Sequence, residues 1–275
     1  MKRRAQPWLG TLVEIGIADD AGDDVLNHQF GLAFAAVAHV HRMMSFHQRD
    51  SDVSRINRAV PGELVDIDPA TAEVLECALR LEDISGGLFD VGCAPLLSAW
   101  GYLPAPQEPR PAPLPASRVL QLAGDTRVEK LQSGWIDLGG IAKGYAVDAA
   151  IKALCESGVR AACVNAGGDL RVYGIADFPV AIRNPRRPTE EGARLHLSNE
   201  ALATSGSYFS GRRVGRRDYS ALVDTRHGQP VTRSGSASVL APTCMLADAL
   251  TKVVIAGGSS NHPALRACAA TAFVL

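Results

Sequence analysis

"RAACVNAGGDLRVYG" (160–174) reads as a strand, a glycine turn and a second strand. Apolar and β-branched residues flank Gly167-Gly168, which suits two pleated segments joined by a tight hairpin. Strands joined this closely are antiparallel. Just upstream, "AKGYAVDAAIKALCESG" (142–158) carries apolar residues at helical spacing and ends on Gly158. A helix feeding an antiparallel hairpin argues against regular βαβ alternation.

Further toward the N-terminus, "GTLVEIGIA" (10–18) reads as a strand and "DDVLNHQFGLAFAAVAHVHRMM" (23–44) as a long helix capped by Asp23 or Asp24. Residues 45–60 are polar and irregular, with a short helical turn after Ser51. Residues 68–87 form a helix with Pro69 in its first turn and Gly86-Gly87 at its end. The proline-dense run 103–117 reads as an extended surface loop, and "WIDLGG" (135–140) as a short strand. Toward the C-terminus, strands are expected at 180–185, 195–206, 219–225 and 270–275, and a strand followed by a helix over 237–258. Strands in blocks with interspersed helices specify an α+β unit with mixed and antiparallel sheets and flanking helices. No repeat is visible, and residues 1–275 read as one domain.

Composition narrows the function classes. Apolar residues make up 47% of the chain, charged residues 21%, and the formal net charge is −1. No bulk attraction to nucleic acid or an acidic membrane follows from that balance. No stretch is long and apolar enough to span a membrane, so no membrane insertion is expected. The six cysteines fit no zinc spacing and read as scattered core thiols, which suits a reducing, cytoplasmic setting.

Four stretches have the residue types for chemistry. In "IDLGGIAKGYAVDAA" (136–150), Gly139-Gly140 permit close backbone approach, the following helix presents its N-terminus, and Lys143 adds a cation. That is either an anion site or a helix start with a surface lysine. Gly167-Gly168 with Asp169 reads first as a tight turn. Thr204, Ser205 and Gly206 end a strand with hydroxyls and amides that suit either a phosphate or a plain strand stop. In "MLADALTK" (245–252), Asp248 and Thr251 share a helical face with Lys252 beside them; their oxygens suit a hard cation such as Mg²⁺, or only a helix start. His47 and His227 lie in polar loops and are better placed to act than His39 and His41 in the long helix.

Taken in order, "LGTLVEIGI", "MSFHQRDSDVSRINR", "GGLFDVGCAPLLSAWGY", "IDLGGIAKGYAVDAA", "VNAGGDLRVYG", "LATSGSY", "LVDTRHGQPV" and "ADALTKVVIAGG" resemble the ordered blocks of the ApbE-type flavin transferases. The resemblance spans about Gly10 to Gly258. It implies an ApbE-like, T-fold-like α+β unit that uses FAD with Mg²⁺ and transfers FMN to a Thr or Ser hydroxyl of a partner protein. FAD pyrophosphatase activity, or flavin binding with impaired catalysis, are the alternatives.

By the same resemblance, Leu9, His47, Gly87, Leu88, Phe89, Asp137, Lys143 and Leu222 stand at FAD contacts; the hydroxyls and amides of Thr204, Ser205 and Gly206 are expected to close the flavin site opposite Asp137–Lys143. Gly140, Asp248 and Thr251 stand at the metal. Asp248 and His227 are the expected catalytic residues. Two positions depart from the family pattern. Ala221 replaces a histidine suited to act as base, and Lys252 occupies a usual metal-binding Thr position. An ammonium about 4 Å from a cation is repelled by roughly 4 kcal/mol per unit of charge product at an effective dielectric of 20. Lys252 therefore either limits how tightly Mg²⁺ is held or stands in for it.

Overall fold

In the computed structural model, which describes residues 1–106, 109–207 and 210–275, the 160–174 hairpin lies inside a seven-stranded sheet. The chain opens with β1 (Lys2–Trp8), β2 (Thr11–Ile17), α1 (Asp23–Met44), α2 (Asp52–Arg58), β3 (Leu64–Asp66) and α3 (Pro69–Ile84). A 3₁₀ turn (Val91–Cys93) leads into α4 (Ala94–Ala99), α5 (Ala116–Val119), β4 (Leu120–Leu122) and β5 (Arg127–Lys130). Next come α6 (Ala142–Glu156), β6 (Ala162–Ala166), β7 (Asp169–Tyr173), β8 (Phe178–Arg183), β9 (Glu191–Leu197) and β10 (Ala201–Gly206). The remaining elements are β11 (Arg212–Val214), β12 (Arg217–Tyr219), β13 (Val223–Asp224), β14 (Gln229–Pro230), β15 (Ser236–Ala241), α7 (Cys244–Gly257), α8 (Pro263–Ala267) and β16 (Thr271–Val274).

The large sheet runs β1-β2-β6-β7-β10-β15-β16, and every neighbouring pair is antiparallel. Strand alternation sorts its side chains onto two faces. Val13, Ile15, Val164, Ala203 and Val239 face the main core, where α6 and α7 pack on the sheet and α1 packs on α6. Cys163, Leu170, Val172, Leu202 and Leu240 face the opposite side, where the β8–β9 hairpin supplies Val180, Ile182 and Leu197. The small residues Ala201, Ala203 and Ala237 keep that main face flat enough for α7 to lie close.

Several sequence expectations are corrected. The single strand expected at 195–206 is two, β9 and β10, parted by a turn in which Asn199 takes φ +55, and the one expected at 219–225 is interrupted between β12 and β13. Neither Asp23 nor Asp24 caps α1. Gly22 holds the cap position, and both acids lie in the first turn, where the helix dipole favours them. The segment 135–140 is not a strand. Its backbone groups find side-chain and loop partners instead: Asn57 donates to Ile136 O at 2.9 Å and accepts from Ile136 N at 2.8 Å, and Asp137 N donates to Val91 O at 2.8 Å. Finally, β1 was not expected, because "KRRAQPW" carries no apolar alternation. It is an exposed edge strand held by its ladder to β2, from Lys2↔Ile17 to Trp8↔Thr11, and its charges protect the edge.

Residues 107 and 108 of the proline-dense loop lie outside the described residues. The six cysteines are free. Among the described residues, no helix is long and apolar enough to cross a membrane.

Candidate functional site

The N-termini of α6 and α7 meet, and each helix caps the other. Asp148 of α6 accepts from Cys244 N at 3.0 Å and Met245 N at 2.8 Å; Asp248 of α7 accepts from Gly144 N at 3.1 Å. A carboxylate at a helix N-terminus satisfies orphan donors and complements the dipole. Gly144 permits the crossing, because a Cβ there would lie 2.2 Å from Cys244 O. The amides at the start of α6 are therefore engaged inside the protein: Ile141 N and Ala142 N bond to Leu138 O, and Gly144 N bonds to Asp248. The positive charge offered outward comes from lysines.

Two lysines converge on Asp248, whose side chain is fully buried. Lys143 Nζ lies 3.3 and 3.2 Å from the two carboxylate oxygens of Asp248 and 2.6 Å from Asp169 Oδ2. Lys252 Nζ donates to Asp248 Oδ1 and, at 2.9 Å, to the Asp248 carbonyl. Burial alone would raise the Asp248 carboxyl; Lys143 and Lys252 outweigh it and hold the group below its ordinary range. Burial and the charge of Asp248 push Asp169 upward. Burial would lower Lys143, but Asp169 and Asp248 raise it well above an ordinary lysine. The four groups form two anions and two cations, with Asp248 beneath the lysines and both lysines facing outward.

Two hollows open on either side of this cluster and share Lys143, Ser205, Ala221 and Leu222 in their walls. The larger, about 750 Å³, is mixed: Thr11, Asn165, Asp169 and Thr204 line it together with Leu12, Leu170, Val180, Ile182 and Leu202. The smaller, about 340 Å³, is apolar along Leu88, Phe89, Leu97, Leu103 and Val223, with Asp90, Asp137 and Lys252 at its edges. Burial pushes Asp137 up to about 6 against the pull of Gly139 N, His47 and Lys143. Burial likewise pushes Asp90 up to about 6 against hydrogen bonds from Gly92 N and Ala116 N. Hollows of this size, apolar in part with a few convergent polar groups, suit a small-molecule ligand.

Most of the anticipated residues meet here. Leu88, Phe89, Asp137, Gly140, Lys143, Thr204, Ser205, Gly206 and Leu222 line one hollow or both. Gly87 lies behind them, its carbonyl accepting from Thr225 Oγ1. Leu9 forms the β1–β2 turn with φ +56 and packs on the main core. His47 is exposed, with its charge felt by Asp137. His227 lines neither hollow; its exposed ring pairs with Asp224 at 2.9 Å. Sequence reasoning missed Asp90 and read Asp169 only as part of a turn. A signal for Asp169 was present, since an acid opening a strand otherwise destined for burial needs a cationic partner.

Two of the three groups expected at Mg²⁺, Asp248 and Thr251, are already engaged. Both carboxylate oxygens of Asp248 and its carbonyl accept from Lys143, Lys252 or Gly144; Thr251 Oγ1 donates to that same carbonyl at 2.6 Å and bonds Ser205 Oγ at 2.7 Å. Lys252 also passes over Gly140, where a Cβ would lie 3.6 Å from its Cε. A hard divalent ion needs open oxygen lone pairs and is repelled by an ammonium in contact. Among the described residues, no three His, Cys, Asp or Glu side chains gather as a metal site. With Lys252 seated here, the donor set does not fit Mg²⁺.

The sequence profile of the ApbE family matches residues 9–273. The chain is 29% identical over 246 residues to the FAD:protein FMN transferase of Vibrio cholerae serotype O1, covering 82% of this chain and 72% of that protein. It is 29% identical over 267 residues to the FAD:protein FMN transferase of Haemophilus influenzae, covering 88% and 76%. The crystal structure of the ApbE protein from Thermotoga maritima superposes with a TM-score of 0.82 at 25% identity, covering 94% of this chain and 88% of that one. The flavin transferase ApbE from Vibrio cholerae superposes with a TM-score of 0.77 at 25% identity, covering 99% and 92%.

Proposed function

The chain belongs to the ApbE family, and from that premise we propose that it is an FAD:protein FMN transferase whose single domain spans residues 1–275. One observation carries the reading: two hollows, one mixed in character and one with an apolar wall, meet at Lys143, which lines both. FAD is two ring systems joined by a diphosphate. Its order of ring, anion, ring suits two hollows with cations between them, because buried negative charge requires a paired cation.

The acceptor is a Thr or Ser hydroxyl on a partner protein. The hydroxyl oxygen bonds to the phosphorus of the FMN half. The bond from that phosphorus to the bridging oxygen breaks, AMP leaves carrying that oxygen, and the hydroxyl proton passes to a base. Such transfer depends on alignment and charge neutralisation more than on covalent catalysis. Lys143 neutralises the diphosphate and is itself held by Asp169 and Asp248. The carboxylates lining the apolar hollow, Asp137 and Asp90, are held near 6, a range that suits proton acceptance. In the family, Mg²⁺ supplies further neutralisation of phosphate charge; here Lys252 is seated on the Asp248 carboxylate expected to hold it. The free thiols suit a reducing compartment.

The test incubates the protein with FAD and a candidate acceptor, then measures AMP and flavin that survives denaturation on the acceptor. AMP together with attached flavin is the expected result. AMP without attachment would make the protein a hydrolase, and neither product would reduce it to a flavin binder.

A further inference from the structure

Resting on the flavin-transferase reading, we propose that Lys252 is the resident cation of this site, seated on Asp248 in the place of a divalent metal ion and facing the bound diphosphate. The position of the ammonium carries the argument. Lys252 lies one helical turn beyond Asp248, and its stem passes over Gly140 within van der Waals range. Its Nζ takes two oxygens of one residue, the Asp248 carboxylate and the Asp248 carbonyl. The carboxylate is the one charged ligand expected at a metal ion. Its side chain is 17% exposed, and that exposure is toward the apolar hollow.

Charge balance points the same way. Asp169 and Asp248 are buried, and Lys143 and Lys252 match them one for one. A divalent ion added to this cluster would leave two uncompensated positive charges beside two ammoniums. In the free protein it would be excluded. A bound diphosphate would instead meet two cations already held in place, with no reorganisation needed on binding. A lysine acts as a point charge on phosphate and suits this role.

Three measurements on the full chain test this. The first titrates Mg²⁺ alone into the wild-type protein and follows thermal unfolding. No rise in the melting temperature at millimolar Mg²⁺ is expected, and a saturable rise overturns the proposal. This readout needs neither FAD nor a variant. The second compares FAD binding by flavin fluorescence in EDTA and in Mg²⁺. Wild-type affinity should agree within about twofold between the two buffers, and a loss of about tenfold or more in EDTA overturns the proposal. The third repeats both with Lys252→Thr. That variant should bind FAD about tenfold or more weakly in EDTA, recover in Mg²⁺, and gain the melting-temperature rise that the wild type lacks. If Lys252→Thr binds FAD in EDTA as well as the wild type does, Lys252 is not the cation of the site. Should the wild type bind no FAD in either buffer, the flavin-transferase reading fails, while the Mg²⁺ titration still judges whether Lys252 excludes the metal.

Discussion

At the scale of single residues, Asp248 does three things at once. It caps α6 through Gly144 N, holds Lys252, and shares Lys143 with Asp169. Removing one member of a buried ionic cluster leaves the rest unpaired in a low-dielectric setting. Asp248→Ala should therefore cost about 3–5 kcal/mol in urea-induced unfolding. Asp248→Asn can keep the acceptor for Gly144 but not the charge, so it should fall between Ala and the wild type. If both variants unfold like the wild type, the cluster does not stabilise the fold. Asp248 and Lys143 were legible in the sequence as a helical acid and a post-glycine lysine. Their partnership was not, since 105 residues separate them.

Among the elements, α6 and α7 were readable from periodicity, and so was the β6–β7 hairpin from its glycine pair. The extended segment 135–138 was misread because its hydrogen bonds go to a side chain 79 residues away in sequence. Asn57 works as a substitute strand for Ile136 by offering one donor and one acceptor. Asn57→Ala should leave two buried backbone groups unpaired and cost about 2–4 kcal/mol in thermal or urea unfolding. Asn57→Asp keeps the acceptor and loses the donor, and should also destabilise. A wild-type stability for Asn57→Ala would show that segment 135–138 is held by packing alone. Its loosening would reach the site, because Asp137 and Leu138 lead directly into Gly139, Gly140 and α6.

For the whole molecule, buried charges shape stability against pH in two windows. Burial raises Asp90 and Asp137 from 3.8 to about 6, so the native state holds protons that the unfolded chain has lost between these values. Stability should fall as pH rises through that window. Lys130 is fully buried and donates to Ile56 O at 3.0 Å and Gly134 O at 2.5 Å, and burial lowers it from 10.5 to about 8. Between 8 and 10.5 the native state sheds a proton that the unfolded chain keeps, so stability should rise with pH there. Unfolding free energies measured across both windows check the signs. Asp90→Asn should flatten the acid limb and Lys130→Met the alkaline one; limbs unchanged in these variants would assign the slopes to other groups. The sequence by itself determined the α+β class, the long helices and the central hairpin, because periodicity and glycine turns are local properties, while the order of its blocks pointed to part of the hollow lining, such as Lys143, Ser205 and Leu222. Only the tertiary structure decided that α6 and α7 cap each other, that two buried acids are matched by two lysines, and that Lys252 sits on Asp248. Those outcomes depend on which charges burial forces together, and a buried charge takes its partner from whatever the fold brings within a few ångströms, however distant in the chain.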